Sequence, residues 1–258
     1  MLGLGQYDPI PSLRKLCEFI LEIPLVQLSL PRTVSGATIA NSADRGIAVN
    51  TSGENAENVW VRRATIAHEL GHLLWDPSER LEKLRVDEYR IFDTQPWWVT
   101  KGFDRIEQRA NAFAVEFLAP QPASVAVFRA KADPRDGLRS VMETFGISFS
   151  AARHHVANGM GLNDEERRRL TVDDTSATAD WMGREAYAAD YFDPDTVHLS
   201  RRGRFAEFLE LAVRQGIVSR ATFCQYLNVS PNDFDRCCEF IRQIYPPHRP
   251  AANPAAAG

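Results

Sequence analysis

Residues 66 to 76 read IAHELGHLLWD, and within them His68, Glu69 and His72 fall in the spacing His-Glu-x-x-His. On a helix, positions four apart lie one above the other on the same face, so the two imidazoles can meet a single ion. Zinc accepts such nitrogens and, in a catalytic site, takes three protein ligands and keeps one position for water. Glu69 follows His68 by about 100° around the helix. From there it can reach a water at the ion without being a ligand, the arrangement of a general base in a metalloprotease. Six histidines and seventeen glutamates in 258 residues would produce this spacing by chance in about one chain in a hundred. Gly71 costs about 1 kcal/mol relative to alanine inside a helix, so its presence points to a close backbone neighbour.

A third protein ligand is needed. The metzincin pattern would place Gly and His where Trp75 and Ser78 stand, so that class is excluded. The segment IEQRANAFAVEFLAP, residues 106 to 120, offers Glu107 and Glu116. Nine residues separate them, which puts them on opposite sides of a helix at about 100° per residue. Ile106, Ala110, Phe113, Ala114 and Phe117 form the apolar stripe, with Glu107 on its margin and Glu116 toward solvent. A carboxylate beside a buried stripe is costly unless a cation or donors meet it. Glu107 is therefore the expected third ligand; a rim carboxylate in an ion pair is the other reading. Asn111, one turn on, is placed to orient a ligand.

Several elements must position these groups. The helical period of residues 11 to 22 stops at Pro24, and LVQLSL then reads as a strand. GATIA and GIAVN flank the turn formers NSADR, predicting a hairpin. The metal-binding helix is expected over residues 54 to 75, with Ser52 as N-cap and Glu54 and Glu57 near its positive end. The second helix is expected from about Asp104 to Leu118, ahead of Pro120. Residues 78 to 103 are mixed, with Trp97 and Trp98 as candidates for a substrate groove or the core.

HELGHLLWD followed by EQRANAFAVEFLAP, with GIAVN just before, resembles the ImmA/IrrE family of metallopeptidases over about residues 36 to 122. Glu107, Ala110, Asn111, Phe113, Ala114, Leu118 and Pro120 carry the second half of that resemblance. It implies an α+β fold: a zincin-like peptidase core with a small twisted sheet and active-site helices, followed by a mainly α-helical C-terminal part. It also implies Zn2+ on His68, His72 and Glu107, with Glu69 as catalytic base. The implied substrate is a small helix-turn-helix repressor encoded nearby, whose cleavage derepresses genes of a mobile element, a stress response or phage defence. Zincin-like folds further imply a strand beside the active-site helix that pairs with extended substrate, and GIAVN is the candidate.

The resemblance implies a metallopeptidase domain over 1–128 followed by a helix-turn-helix-like module over 129–170; the sequence pattern then gives an acidic linker or loosely packed segment over 171–203, a helical module over 204–245 and a disordered tail over 246–258. Residues 129 to 170 hold eight basic and six acidic residues. That thin surplus, beside a stretch with seven acidic residues and one basic over 171–200, argues against direct DNA binding. The net charge of −4, with 44% apolar and 25% charged residues, is that of an ordinary globular protein. No run is apolar for long enough to span a bilayer, and the first thirty residues do not read as a signal peptide. Cys17, Cys224, Cys237 and Cys238 form no C-x-x-C pair and read as reduced thiols of a cytoplasmic protein. Candidates for stabilising an oxyanion are His154, His155, His198, Tyr89 and Tyr191. Two other readings compete with proteolysis: a non-proteolytic repressor-binding module with a structural zinc site, and a DNA-binding regulator.

Overall fold

A computed structural model describes residues 5, 7–28, 30–31, 34–40, 45–50, 58–76, 105–181 and 203–244. Glu54, Glu57, Tyr89, Trp97, Trp98, Tyr191, His198 and the tail lie outside these residues. The chain forms two compact units, Met1–Glu185 and Ala186–Gly258.

The first unit begins with helix α1, Leu13–Lys15, which runs into a wider π turn over Leu16–Ile20. Three strands follow: β1, Leu25–Leu28; β2, Gly36–Ala40; and β3, Arg45–Asn50. β3 is the middle strand, parallel to β1 and antiparallel to β2, with Ala48 level with both Val26 and Ala37. GATIA and GIAVN are therefore antiparallel neighbours. GIAVN is however the central strand, and its backbone groups are already paired on both sides. It cannot take up an extended substrate, which corrects that expectation. Hydrophobic alternation identifies a strand but carries no information on its place in the sheet. Asn50 closes β3: its side-chain amide donates to the carbonyls of Leu30, Pro31 and Val34 and accepts from the amide of Leu30.

Helix α2, Val59–Trp75, carries the His-Glu-x-x-His sequence. Asn58, with extended backbone, caps it and accepts from the amide of Trp60. The N-cap is therefore Asn58, directly before Val59, and not Ser52, which lies outside the described residues. α2 lies between the sheet and helix α3, Arg105–Leu118. This burial on two sides explains why Ile66, Ala67, His68, Glu69, Leu70, Gly71 and His72 are all buried. A Cβ at Gly71 would stand 3.0 Å from the Phe113 ring and 3.4 Å from Ala110 Cα, so the glycine marks where α2 and α3 touch backbone to backbone.

Helices α4, Gln121–Arg129, α5, Pro134–Phe145, α6, Phe149–Met160, and α7, Asp164–Arg169, follow in the same unit. Ser148 caps α6 and accepts from Ala151. Leu138, Val141, Met142, Phe145, Ala152 and Val156 share one core with Leu70 and Leu118. The remaining described chain, Leu170 to Trp181, is fastened to these helices. Arg139 donates to the carbonyls of Asp174 and Ser176, and Asn58 to that of Thr175. The Trp181 indole lies 4.1 Å over the buried Arg63 guanidinium and donates to the carbonyl of Glu143. Arg63 donates in turn to the carbonyls of Gly146 and Ile10. Gly146 has φ 62°, and a side chain there would strike both Trp181 and Arg63, so the position requires glycine twice over.

The second unit holds helices α8, Arg204–Arg214, α9, Arg220–Leu227, and α10, Phe234–Ile244, the last entered through a 3-10 turn over Pro231–Asp233. Ala206, Leu209, Phe223, Leu227 and Ile241 form its interior, and the buried Glu210 is met by Arg242 at 2.6 Å. All four cysteines are free and buried. No described helix is long and apolar enough to cross a membrane.

Candidate metal centre

His68 and His72 sit one turn apart on α2 and meet edge to face, ring centroids 4.6 Å apart and planes at 76°. Their Nε2 atoms are 2.9 Å from each other. Across from them, Glu107 on α3 places Oε2 3.2 Å from the first Nε2 and 3.5 Å from the second. The predicted three donors therefore converge from two helices. Ala110 and Ala114, both buried, let those helices approach closely enough for it.

The outer partners decide what these atoms can hold. Asn111 Oδ1 lies 3.0 Å from His68 Nδ1, and Asp76 Oδ2 lies 2.8 Å from His72 Nδ1. Both partners are acceptors, so each Nδ1 carries the proton and each Nε2 turns a lone pair inward. Two lone pairs and a carboxylate oxygen then face one point with no hydrogen to share. Such a meeting is repulsive unless a cation occupies it, and two imidazoles with one carboxylate suit zinc. The donor set fits the metal that the sequence implies.

Charge effects point the same way. Burial raises the Glu107 carboxyl, but with no cation bound a proton taken up on either Nε2 is shared with it, and the two histidines hold the group well below the usual carboxylate range. Burial lowers His72, yet Glu107, Glu69 and Asp76 together push it above its ordinary value. The cluster thus draws in positive charge.

Glu69 is 2% exposed, and burial raises its carboxyl above the ordinary value despite its histidine neighbours. Its Oε2 accepts from the Thr38 hydroxyl of β2 at 2.6 Å. Asp76, the C-cap residue of α2, holds His72 with one oxygen and Arg109 of α3 with the other, at 2.5 Å. The sequence pointed to Asn111 but gave Asp76 no role at the site. It pointed to neither Arg109 nor Thr38. Asp76 was within reach, since it lies four residues beyond His72 on the same face; Thr38 gave no local signal.

Other candidates stand elsewhere. Glu116 lies on the far side of α3, exposed, near His155 Nε2 at 3.4 Å. His155 is buried on α6 beside Glu116 and the Ala119 backbone, and His154 is surrounded by Arg153, Asp164 and Arg167. The metal cluster is built from none of these. Among the described residues, His68, His72 and Glu107 form the one group of three His, Cys, Asp or Glu side chains close enough to share an ion.

Residues 47–156, from β3 into α6, match the family model of Peptidase M78, the IrrE N-terminal-like domain. No curated protein matches the chain. The matched span includes α2 with both histidines and α3 with Glu107, and over that span the chain is similar to the ImmA/IrrE metallopeptidases.

Proposed function

We propose that the protein is a zinc-dependent endopeptidase whose substrate is a small helix-turn-helix repressor. The observation that carries the reading is the convergence of His68 Nε2, His72 Nε2 and Glu107 Oε2 on one point, beside the buried carboxylate of Glu69. Zinc, when bound, supplies a Lewis acid that polarises the scissile carbonyl and acidifies water. Asn111 and Asp76 keep both imidazoles in the tautomer that presents Nε2. Glu69 takes the proton of the attacking water on its carboxylate and delivers it to the leaving amine as the peptide bond breaks. Its raised affinity for a proton, caused first by burial, suits a group that must both accept and release one near neutral pH.

β2 supports an extended mode of substrate binding. It lies against α2, and its side away from β3 carries no strand among the described residues. A peptide added there would run beside Glu69.

The test uses the full chain loaded with one equivalent of zinc. It is incubated with the helix-turn-helix protein encoded nearest its gene, and the fragments are read by mass spectrometry. Cleavage that is abolished by chelation and by Glu69→Gln supports the reading. Intact repressor in a stable complex with the zinc-loaded protein would replace it with sequestration.

A further inference from the structure

We propose that Thr38 is a positioning residue for Glu69, and that Gly36, two residues earlier on β2, keeps open the space in which the second carboxylate oxygen works. The inference rests on the reading of Glu69 as the group that moves the proton.

A carboxylate that is 2% exposed is costly to hold without a donor. Thr38 Oγ1 stands 2.6 Å from Oε2, the short distance of a hydroxyl donating to a charged oxygen. The same hydroxyl is 3.1 Å from the backbone carbonyl of Glu69, but it has one proton, and the carboxylate is the stronger acceptor. Oε1 accepts no hydrogen bond among the described residues. The side chain is thus held by one oxygen while the other is left for chemistry.

Gly36 explains why Oε1 is left clear. Residues two apart on a strand share a face, so Gly36 and Thr38 both turn toward α2. A Cβ at Gly36 would lie 3.0 Å from Oε1 and 2.6 Å from Thr65 Cγ2. No real Cβ approaches as closely as the second of these, so any side chain there would push Thr65 or Glu69 aside. On one face of one strand, G-x-T thus supplies a donor and a gap. Both residues precede the matched span of 47–156, so β2 completes a site whose ligands lie within it.

The test compares Thr38→Val, which keeps the shape, Thr38→Ala, which adds no bulk, and Thr38→Ser, which keeps the hydroxyl, all in the full zinc-loaded chain. Three readouts are taken: zinc stoichiometry, the position of Glu69 in crystal structures, and kcat and KM on the fastest-cut peptide from a proteome digest. Thr38→Val and Thr38→Ala should keep one zinc, let the Glu69 carboxylate leave its place, and lower kcat about 10- to 100-fold at nearly constant KM. Thr38→Ser should recover most of the rate. Adding Thr38→Val to Glu69→Gln should cost nothing further, since the pair acts as a unit. A Glu69 side chain that stays in place in both hydroxyl-free variants overturns the proposal, as does a serine variant no better than valine. If the wild-type protein cuts no peptide, the peptidase reading fails, while the crystal structures still decide whether Thr38 holds Glu69.

Discussion

Asp76 Oδ2 accepts the Nδ1 hydrogen of His72 at 2.8 Å from the capping position of the same helix, and its other oxygen is tied to Arg109 on α3. One buried carboxylate therefore fixes the tautomer of a candidate ligand and joins the two helices that supply all three donors. Replacing Asp76 by Asn keeps the shape but removes the charge that sharpens His72 as a donor. Zinc affinity, measured by competition with a chelating dye, should fall about 10- to 100-fold. Arg109→Met should cost less, because its side chain is 44% exposed and solvent screens the pair. Unchanged affinity in Asp76→Asn would remove this carboxylate from the metal's support.

The ligands and the base should separate cleanly in a metal analysis. His68→Ala, His72→Ala and Glu107→Gln each delete a donor and should leave substoichiometric zinc after gel filtration. Glu69→Gln should retain one equivalent and lose peptide cleavage, because it alters proton transfer and no ligand. Full zinc occupancy in Glu107→Gln would contradict the assignment of that ligand.

Much of this site could be read before any coordinates, and the reason is periodicity. His68, Glu69 and His72 are set by one helix, and Glu107 by its place on the margin of the Ala110–Ala114 stripe of another. Asn111 followed as the next turn from Glu107. The strands were legible too, as alternating runs at β2 and β3. Their order was not: nothing in GIAVN distinguishes a central strand from an edge, because the neighbour that fills its second side is Leu25–Leu28, about twenty residues earlier. Thr38 was illegible for the same reason. Its contact with Glu69 spans thirty-one residues and belongs to the packing of a strand on a helix, which leaves no mark in either local pattern.

Gly71 gives a stability prediction. Gly71→Val places branched carbon where Phe113 and Ala110 already stand at 3.0 and 3.4 Å from the first added atom. α2 and α3 must part, which should cost about 1–3 kcal/mol of unfolding free energy in urea titrations and weaken zinc binding as Glu107 moves away. A variant with wild-type midpoint and affinity would show that the helix contact is softer than it looks.

Acid should act on the first unit through α6 as well as through the metal. His155 is lowered below its ordinary value, first by burial, with Ala119 and Glu116 opposing. His154 is lowered by burial and by Arg167 and Arg153. A histidine depressed in the fold stays neutral there while the unfolded chain takes up the proton. Its contribution to stability is present above the ordinary histidine value of 6.5 and is lost as pH falls through and below that value. Metal-free His155→Gln should therefore lose less stability than the metal-free wild type between neutrality and pH 5, in denaturant midpoints taken at each pH. Parallel curves for the two proteins would assign the acid response to other groups.

The Trp181 indole seals a guanidinium that has no route to water, five residues ahead of His68 on the same helix. The smallest self-sufficient fragment of the first unit must therefore extend past residue 181, well beyond the end of α7 at Arg169. A version trimmed after Leu170 would expose Arg63 and empty an indole-sized slot, a loss of about 3–5 kcal/mol by the scale of large-to-small core replacements. Anyone dissecting this protein into pieces should place the cut in the acidic stretch beyond that tryptophan.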